Sequence, residues 1–409
     1  MVFSKINRST FLLIRESQIL CGHFNRFAST SMTSVNDGEY HSKIDLKSSN
    51  PIHVNKKIPV AIDEFERIKS LKPCQPENPH LLKVSILGEP NVGKSTLTNK
   101  LVKWKVCAVS RKVHTTRRKA SAIFVEDNKQ IVFLDTPGFV SPELSKKHNL
   151  EASFVMDPVR SIMDADIIAV VVDISNKWIN NRINQDVLQL LQDYKEKKSI
   201  LILNKIDAMK SKSRMPSLLK ILTNNTADDI LYSSIQLNNS EDNISNKKTE
   251  DTKENPENIA RSKSSVLKET GKGWPLFSKV FTVSALKNIG IDDLRNYLLN
   301  EALPKEWMYH DCVVTDQHPH ALAITILREK LLEYLPEEIP YILDLQIYKW
   351  NILNTGSPEI GIKIKCHNSR HKRFVIGPAG KHISLCVEKY RNALKEAFKK
   401  DILVHINVE

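Results

Sequence analysis

The sequence has only six cysteines in 409 residues, Cys21, Cys74, Cys107, Cys312, Cys366 and Cys386, and no Cys-x-x-Cys pair among them. That spacing argues against a zinc ribbon or a dithiol redox motif and leaves isolated thiols, as expected in a reducing compartment. No apolar run approaches the roughly eighteen residues needed to cross a bilayer. The longest, around residues 167–172, has the length of a strand, so an integral membrane protein is not expected. Acids are nearly missing from residues 1–32, where Glu16 stands alone against Lys5, Arg8, Arg15 and Arg26. With many Ser and Thr and the apolar Phe11, Leu12, Leu13 and Ile14, this segment fits an organellar transit peptide, mitochondrial first and plastid second.

What is present builds cores. Hydrophobic residues make up 41% of a chain long enough for two or three domains, and a formal net charge of +13 points to a polyanionic partner. Residues 33–80 are polar and weakly patterned, and read as a linker with one short helix around 62–71. From Leu82 the short apolar runs VSILG, IVFLD, IIAVVVD, SILILNK and KVFTVSA alternate with amphipathic segments. That rhythm predicts parallel strands joined by helices, an α/β domain over 82–302. Residues 209–272 break the rhythm with Ser, Asn, Lys, Glu and Asp, and read as a disordered surface insertion too poor in apolar residues to bury a core. A second unit, 304–409, carries a predicted helix around 324–335, strands around 343–350 and 360–367, and a last strand at 402–408.

The first strand runs into Gly88-Glu89-Pro90-Asn91-Val92-Gly93-Lys94-Ser95, followed by Thr96 and a helix-like segment. Phosphate needs this arrangement: glycines let backbone N–H groups curl around it, Lys94 adds charge, Ser95 offers a magnesium ligand and the helix N-terminus adds its dipole. Asp135-Thr136-Pro137-Gly138 closes the strand IVFL, where the carboxylate can hold magnesium through water and the Gly138 N–H can reach a γ-phosphate. Asn204-Lys205-Ile206-Asp207 closes SILIL, and a carboxylate there accepts hydrogen bonds from guanine N1–H and the 2-amino group. Adenine offers neither donor, and an unpaired buried carboxylate is penalised, so the base should be guanine. Ser284-Ala285-Leu286 suits a loop whose backbone supports the base oxygen.

Residues 90–125 hold nine Lys or Arg and no acid, and include Thr115-Thr116-Arg117. Thr116 is the candidate to complete the magnesium shell when a triphosphate is bound; the plain alternative is a solvated threonine in a basic loop. Near the C-terminus, Val375-Ile376-Gly377-Pro378-Ala379-Gly380-Lys381-His382-Ile383 fits the core of a KH domain, whose Gly-x-x-Gly turn lets a sugar-phosphate backbone approach closely. Residues 362–400 contain eleven Lys or Arg and two acids. Pro378 and Ala379 carry no charge, so phosphate contacts fall to Lys372, Arg373, Lys381 or the helix N-terminus, with Ile376 and Ile383 forming a groove floor.

The four nucleotide motifs resemble the translation-factor class of GTPase domains, and with the KH motif after them, residues 82–408 resemble the Era family of ribosome-assembly GTPases. The resemblance implies an α/β phosphate-loop GTPase domain, a parallel sheet flanked by helices, followed by a smaller α+β KH domain of type II. It further implies GTP/GDP and magnesium as ligands, and binding to the 3′-terminal region of small-subunit ribosomal RNA in the assembling subunit. GTP would gate RNA affinity and hydrolysis would release the particle. Family relatives use the asparagine matched by Asn91 to hold potassium in place of an arginine finger. Many place glutamine where this chain has Phe139, so slow hydrolysis without RNA or a cation is expected. A monomer in the mitochondrial matrix, with peripheral contact to the inner membrane as one option, completes the expectation. Other readings are an RNA-binding scaffold that holds GTP structurally, a tRNA-modification GTPase and a membrane-surface GTPase.

Overall fold

Apolar strands leave the chain at regular intervals, and each finds its place in one of two sheets. The computed structural model describes residues 56–109, 120–135, 153–175, 182–209, 211–224, 272–335, 339–353 and 357–409, all within a single unit spanning 54–409. In chain order the elements are α1 (Ile62–Ser70), β1 (His80–Leu87), α2 (Lys94–Val102), β2 (Ala120–Glu126), β3 (Lys129–Asp135), α3 (Ser153–Asp164), β4 (Ile167–Asp173) and α4 (Gln185–Asp193). There follow β5 (Lys198–Asn204), α5 (Met215–Leu222), β6 (Phe277–Thr282), α6 (Ile291–Asn300) and β7 (Leu303–Pro304). The remainder is α7 (Pro319–Tyr334), a short α8 (Ile339–Ile342), β8 (Asp344–Ile352), β9 (Pro358–Lys365), α9 (Ser369–Ile376), α10 (Lys381–Phe398) and β10 (Leu403–Val408).

The larger sheet has the order β2-β3-β1-β4-β5-β6, with β7 added antiparallel to β1. Strands β1, β3, β4, β5 and β6 pair in parallel, as their continuous apolar runs demand: a strand covered by helices on both faces has little room for polar residues. Strand β2 departs from the expectation of parallel strands only. It folds back on β3 as a hairpin in which Glu126 faces Lys129 across a two-residue turn, with Asp127 in the left-handed region at φ 52°. Helix α2, which follows the phosphate loop, ends on the Arg295 side chain. Its Nε donates to the Leu101 carbonyl at 2.9 Å and its terminal nitrogen to the Lys100 carbonyl at 2.8 Å, satisfying two carbonyls that a helix end leaves open.

The smaller sheet has the order β10-β9-β8, with β9 parallel to β10 and antiparallel to β8. Alternate residues Ile360, Ile362 and Ile364 of β9 are all fully buried, while Gly361 and Lys363 lie on the other face. Helices α7 and α10 close the buried side. Tyr390 of α10 is fully buried and its hydroxyl donates to the Ala323 carbonyl of α7 at 3.1 Å. Helix, two strands, helix-turn-helix and strand is the α+β order expected of the second unit.

Three boundaries read from sequence need correction. Residues 58–68 are not merely linker, because Ile58, Val60, Phe65 and Ile68 are buried. The start of the stretch read as a disordered insertion is structured: α5 buries Leu218, Leu219 and Leu222, and the Trp274 N–H donates to the Leu222 carbonyl at 2.9 Å. Residues 225–271 lie outside the described residues. Residues 305–318 belong with the nucleotide domain's sheet edge. The Ile123 N–H donates to the Val314 carbonyl at 2.8 Å, and Thr315 Oγ1 donates to the Ser121 carbonyl at 2.8 Å. In each case a few apolar or hydrogen-bonding residues sit inside a locally polar or unpatterned stretch, and only distant partners give them a place.

Candidate nucleotide site and nucleic-acid interface

The motif-bearing segments sit at the C-terminal ends of parallel strands, where open α/β sheets bind ligands. β1 leads into Gly88–Ser95, β3 ends on Asp135, β5 ends on Asn204 and β6 leads to Ser284. Asp135 pairs in register with Ile86, so its Cα lies beside the strand that enters the phosphate loop. The loop folds tightly. Gly93 takes φ 97°, and a Cβ there would stand 2.4 Å from Asn204 Nδ2, so this glycine is required by both backbone conformation and a close neighbour. Lys94 is 7% exposed, and its ammonium donates to the Gly88 carbonyl at 3.0 Å and the Glu89 carbonyl at 2.8 Å. Glu89 and Pro90 are half-buried, Val92 is buried, and Ser95 and Thr96 open α2, half-buried at its first turn. Asn91 is exposed at the tip with φ 62°.

A single buried side chain ties three of these segments together. Asn204, 1% exposed, donates from Nδ2 to the Val92 carbonyl at 2.9 Å and accepts the Ala285 N–H on Oδ1 at 3.0 Å. Its partners are the phosphate loop on one side and the Ser284-Ala285-Leu286 loop on the other. Lys205, at φ 66°, crosses the loop and donates to the Asn91 carbonyl at 2.8 Å. Asp207 is exposed and accepts from Ser284 Oγ, itself buried, at 2.5 Å. That bond fixes the carboxylate while leaving its other lone pairs for a base. Leu286 is 72% exposed.

Sequence reasoning missed Asp173. It ends β4 opposite Asn204 in the β4–β5 register, accepts from the Lys205 ammonium on Oδ2 at 2.6 Å, and accepts the Ser175 N–H and hydroxyl on Oδ1 at 2.9 and 2.6 Å. Its signal was available, since it closes the run IIAVVVD just as Asp135 and Asn204 close theirs. Thr116, Thr136, Pro137, Gly138 and Phe139 lie outside the described residues. Ser95, in the first turn of α2, carries a hydroxyl of the hard-oxygen kind that magnesium takes.

The second site is the junction of α9 and α10. Asn368 caps α9 by accepting the His371 N–H at 2.8 Å, and α9 stops at Gly377, which takes φ 73°. Pro378, Ala379 and Gly380 form a single tight turn, and α10 starts at Lys381. Gly380 has φ 77°, yet a Cβ there would meet nothing within 4 Å. The protein itself does not fill that space, so the surface above the turn is open for a close-approaching backbone. Lys372, Arg373 and Lys381 are exposed around it, while Ile376 and Ile383 are half-buried. Val375 behind them is fully buried, and this apolar backing holds the turn on the module's core.

A family model described as 50S ribosome-binding GTPase matches residues 83–205. The mitochondrial GTPase Era of Salmo salar is 34% identical over 381 residues, spanning 87% of this chain and 82% of that protein. The mitochondrial GTPase Era of Danio rerio is 35% identical over 368 residues, spanning 87% and 81%. Among solved structures, Era in complex with MgGDPNP and nucleotides 1506–1542 of 16S ribosomal RNA matches with a TM-score of 0.60 at 24% identity. That match covers 81% of this chain and 93% of that one, and it concerns the fold, an α/β GTPase domain followed by a KH-type sheet and helices. Both the nucleotide site and the relatives lead to one assignment: the chain belongs to the mitochondrial GTPase Era family and is a GTP hydrolase of that organelle.

Proposed function

We propose that this GTPase binds the 3′-terminal region of small-subunit ribosomal RNA through the Gly377–Gly380 turn and assists assembly of the mitochondrial small ribosomal subunit. The observation that carries this reading is the open, positive-φ Gly380 between exposed Lys372, Arg373 and Lys381, in the same unit as a guanine-nucleotide site. A relative of like fold is described in complex with nucleotides 1506–1542 of 16S ribosomal RNA, which supports the choice of RNA. At the nucleotide site Lys94 and the backbone of Gly88–Ser95 hold the phosphates, and Asp207 selects guanine with Asn204, Lys205 and Ala285 supporting it. Magnesium would neutralise phosphate charge, and Ser95, Asp135 and Thr116 are the residues that would hold it. The Gly138 N–H takes the γ-phosphate. Phe139 offers no hydrogen bond to an attacking water, so turnover is slow until RNA or potassium assists, with the exposed Asn91 as the potassium ligand. The protein acts as a monomer on a large ribonucleoprotein in the mitochondrial matrix.

The test is crosslinking to RNA in isolated mitochondria, wild type against Gly380→Asp. No neighbour lies within 4 Å of the added Cβ, but φ 77° strains any residue other than glycine. Gly380→Asn, with the same backbone strain and no charge, is therefore the control that isolates the carboxylate's repulsion of phosphate. Crosslinks at the 3′ end of the small-subunit ribosomal RNA that the variant loses uphold the reading. Crosslinks elsewhere, or an unaffected variant, overturn the ribosomal role and leave the GTPase in place.

A further inference from the structure

The chain that leaves α2 and leads toward the basic stretch bearing Thr116 is fastened at both of its margins. From α2 itself, Asn99 Oδ1 accepts the Val106 and Cys107 N–H groups at 2.9 and 2.8 Å. Its Nδ2 donates to the Cys107 carbonyl at 2.8 Å. From the RNA module, Glu329 of α7 reaches across. Its Oε2 accepts the Val109 N–H at 2.9 Å, both of its oxygens stand 3.2 Å from the Lys105 ammonium, and Lys330 lies 2.8 Å from Oε1. The Trp104 indole N–H donates to the Ala397 carbonyl near the end of α10 at 2.7 Å, under the Lys399 ammonium at 4.9 Å from the ring centre.

Residues 103–109 therefore form a strap between the phosphate-loop helix and the two long helices of the RNA module. One of those helices, α10, begins at the Gly-x-x-Gly turn. The Glu329 side chain is 2% exposed and that of Lys105 is 11% exposed, so the knot lies out of water. Losing these partners would leave the Glu329 carboxylate buried and uncompensated, so partial breakage of the contact is costly. Neither the nucleotide motifs nor the KH turn uses Glu329.

We propose that Glu329 is a positioning residue that couples the two sites. Through Lys105 and the Val109 N–H it makes the strap report the state of the phosphate-loop helix to α7 and α10, and so to the RNA turn. This rests on the reading that RNA binds at Gly377–Gly380. By linkage the coupling is reciprocal: whatever factor GTP applies to RNA affinity, RNA applies to GTP affinity.

The experiment uses the full chain and Glu329→Gln, which keeps an acceptor for Val109 but removes the charge. Affinity for a labelled oligoribonucleotide from the 3′ end of the mitochondrial small-subunit ribosomal RNA is measured with GDP and with GDPNP. The wild-type ratio between the two states, about fivefold or more for a coupled pair, should fall toward one in the variant, with affinity for each nucleotide in the absence of RNA unchanged. If Glu329→Gln does not fold, the double variant Lys105→Gln with Glu329→Gln leaves only Lys330 charged at the knot, where Glu333 still pairs with it at 3.0 Å, and its ratio should also fall toward one. A folded variant that keeps the wild-type ratio overturns the proposal. A second arm does not need RNA: amide hydrogen exchange in α7 with each nucleotide. Exchange that depends on nucleotide in the wild type and not in the variant upholds the coupling, even if the oligoribonucleotide binds neither form and the RNA reading fails. Exchange in α7 that ignores the nucleotide in the wild type overturns it.

Discussion

Lys205 lays its ammonium 2.6 Å from Asp173 Oδ2 and 2.8 Å from the Asn91 carbonyl, so the guanine-motif lysine is held between the end of β4 and the phosphate loop. The stem of the side chain is thereby fixed across the nucleotide site. Asp173 acts by placing Lys205.

Replacing Asp173 by Asn should weaken GDP and GTP binding together by a few-fold, on the order of 1 kcal/mol, because the pair is only half shielded from solvent. Titration with a fluorescent GDP derivative measures it. Unequal effects on the two nucleotides would mean that Asp173 acts on the γ-phosphate side and not through Lys205.

Asp207→Asn should exchange guanine for xanthine. The amide no longer accepts from both N1–H and the 2-amino group, so GTP affinity should fall by about 10²-fold or more. XTP affinity should rise. Because Ser284 already orients the side chain, the variant should fold normally, and unchanged GTP affinity would refute the assigned base site.

Stability should fall in mild acid through His320. Burial, and then the neighbouring His318, hold its imidazole below the ordinary value of 6.5, where it packs 4.4 Å from the Trp350 ring. The folded chain resists protonating this ring, so below the ordinary value the unfolded chain binds the extra proton and gains ground as pH drops. Urea midpoints at about pH 7.5 and about pH 5.5 should differ more for wild type than for His320→Phe.

Thiol chemistry should separate two cysteines. Burial pushes the Cys386 thiol up to about 12, while Cys74 is exposed. Since the thiolate is the nucleophile, iodoacetamide at neutral pH should modify Cys74 in the native protein and Cys386 only after unfolding. Peptide mass spectrometry reads both sites, and early labelling of Cys386 would show that the α7–α10 packing opens readily.

Much of the nucleotide site was legible because its chemistry is local: Gly88–Ser95 and Asn204–Asp207 each carry their function within a few consecutive residues. The turn at Gly377–Gly380 was legible for the same reason. Strand β2 was missed because ASAIFVE, in an unremarkable stretch after a basic loop, gains its register only from β3. The burial of Leu218, Leu219 and Leu222 was missed because the apolar run Met215–Leu222 opens a stretch whose remainder is polar, and its place is set only by the larger sheet beneath it.

The sequence by itself determined which ligands this protein can hold, since phosphate loops, base-reading carboxylates and glycine turns are set by residue type and short spacing. Only the tertiary structure decided how those pieces are joined. Asn204 tying the phosphate loop to Ala285, Asp173 placing Lys205, and Glu329 pairing with Lys105 and Val109 across 224 and 220 residues are contacts of burial and charge. Their energy depends on what excludes water around them, and that is a property of the folded chain.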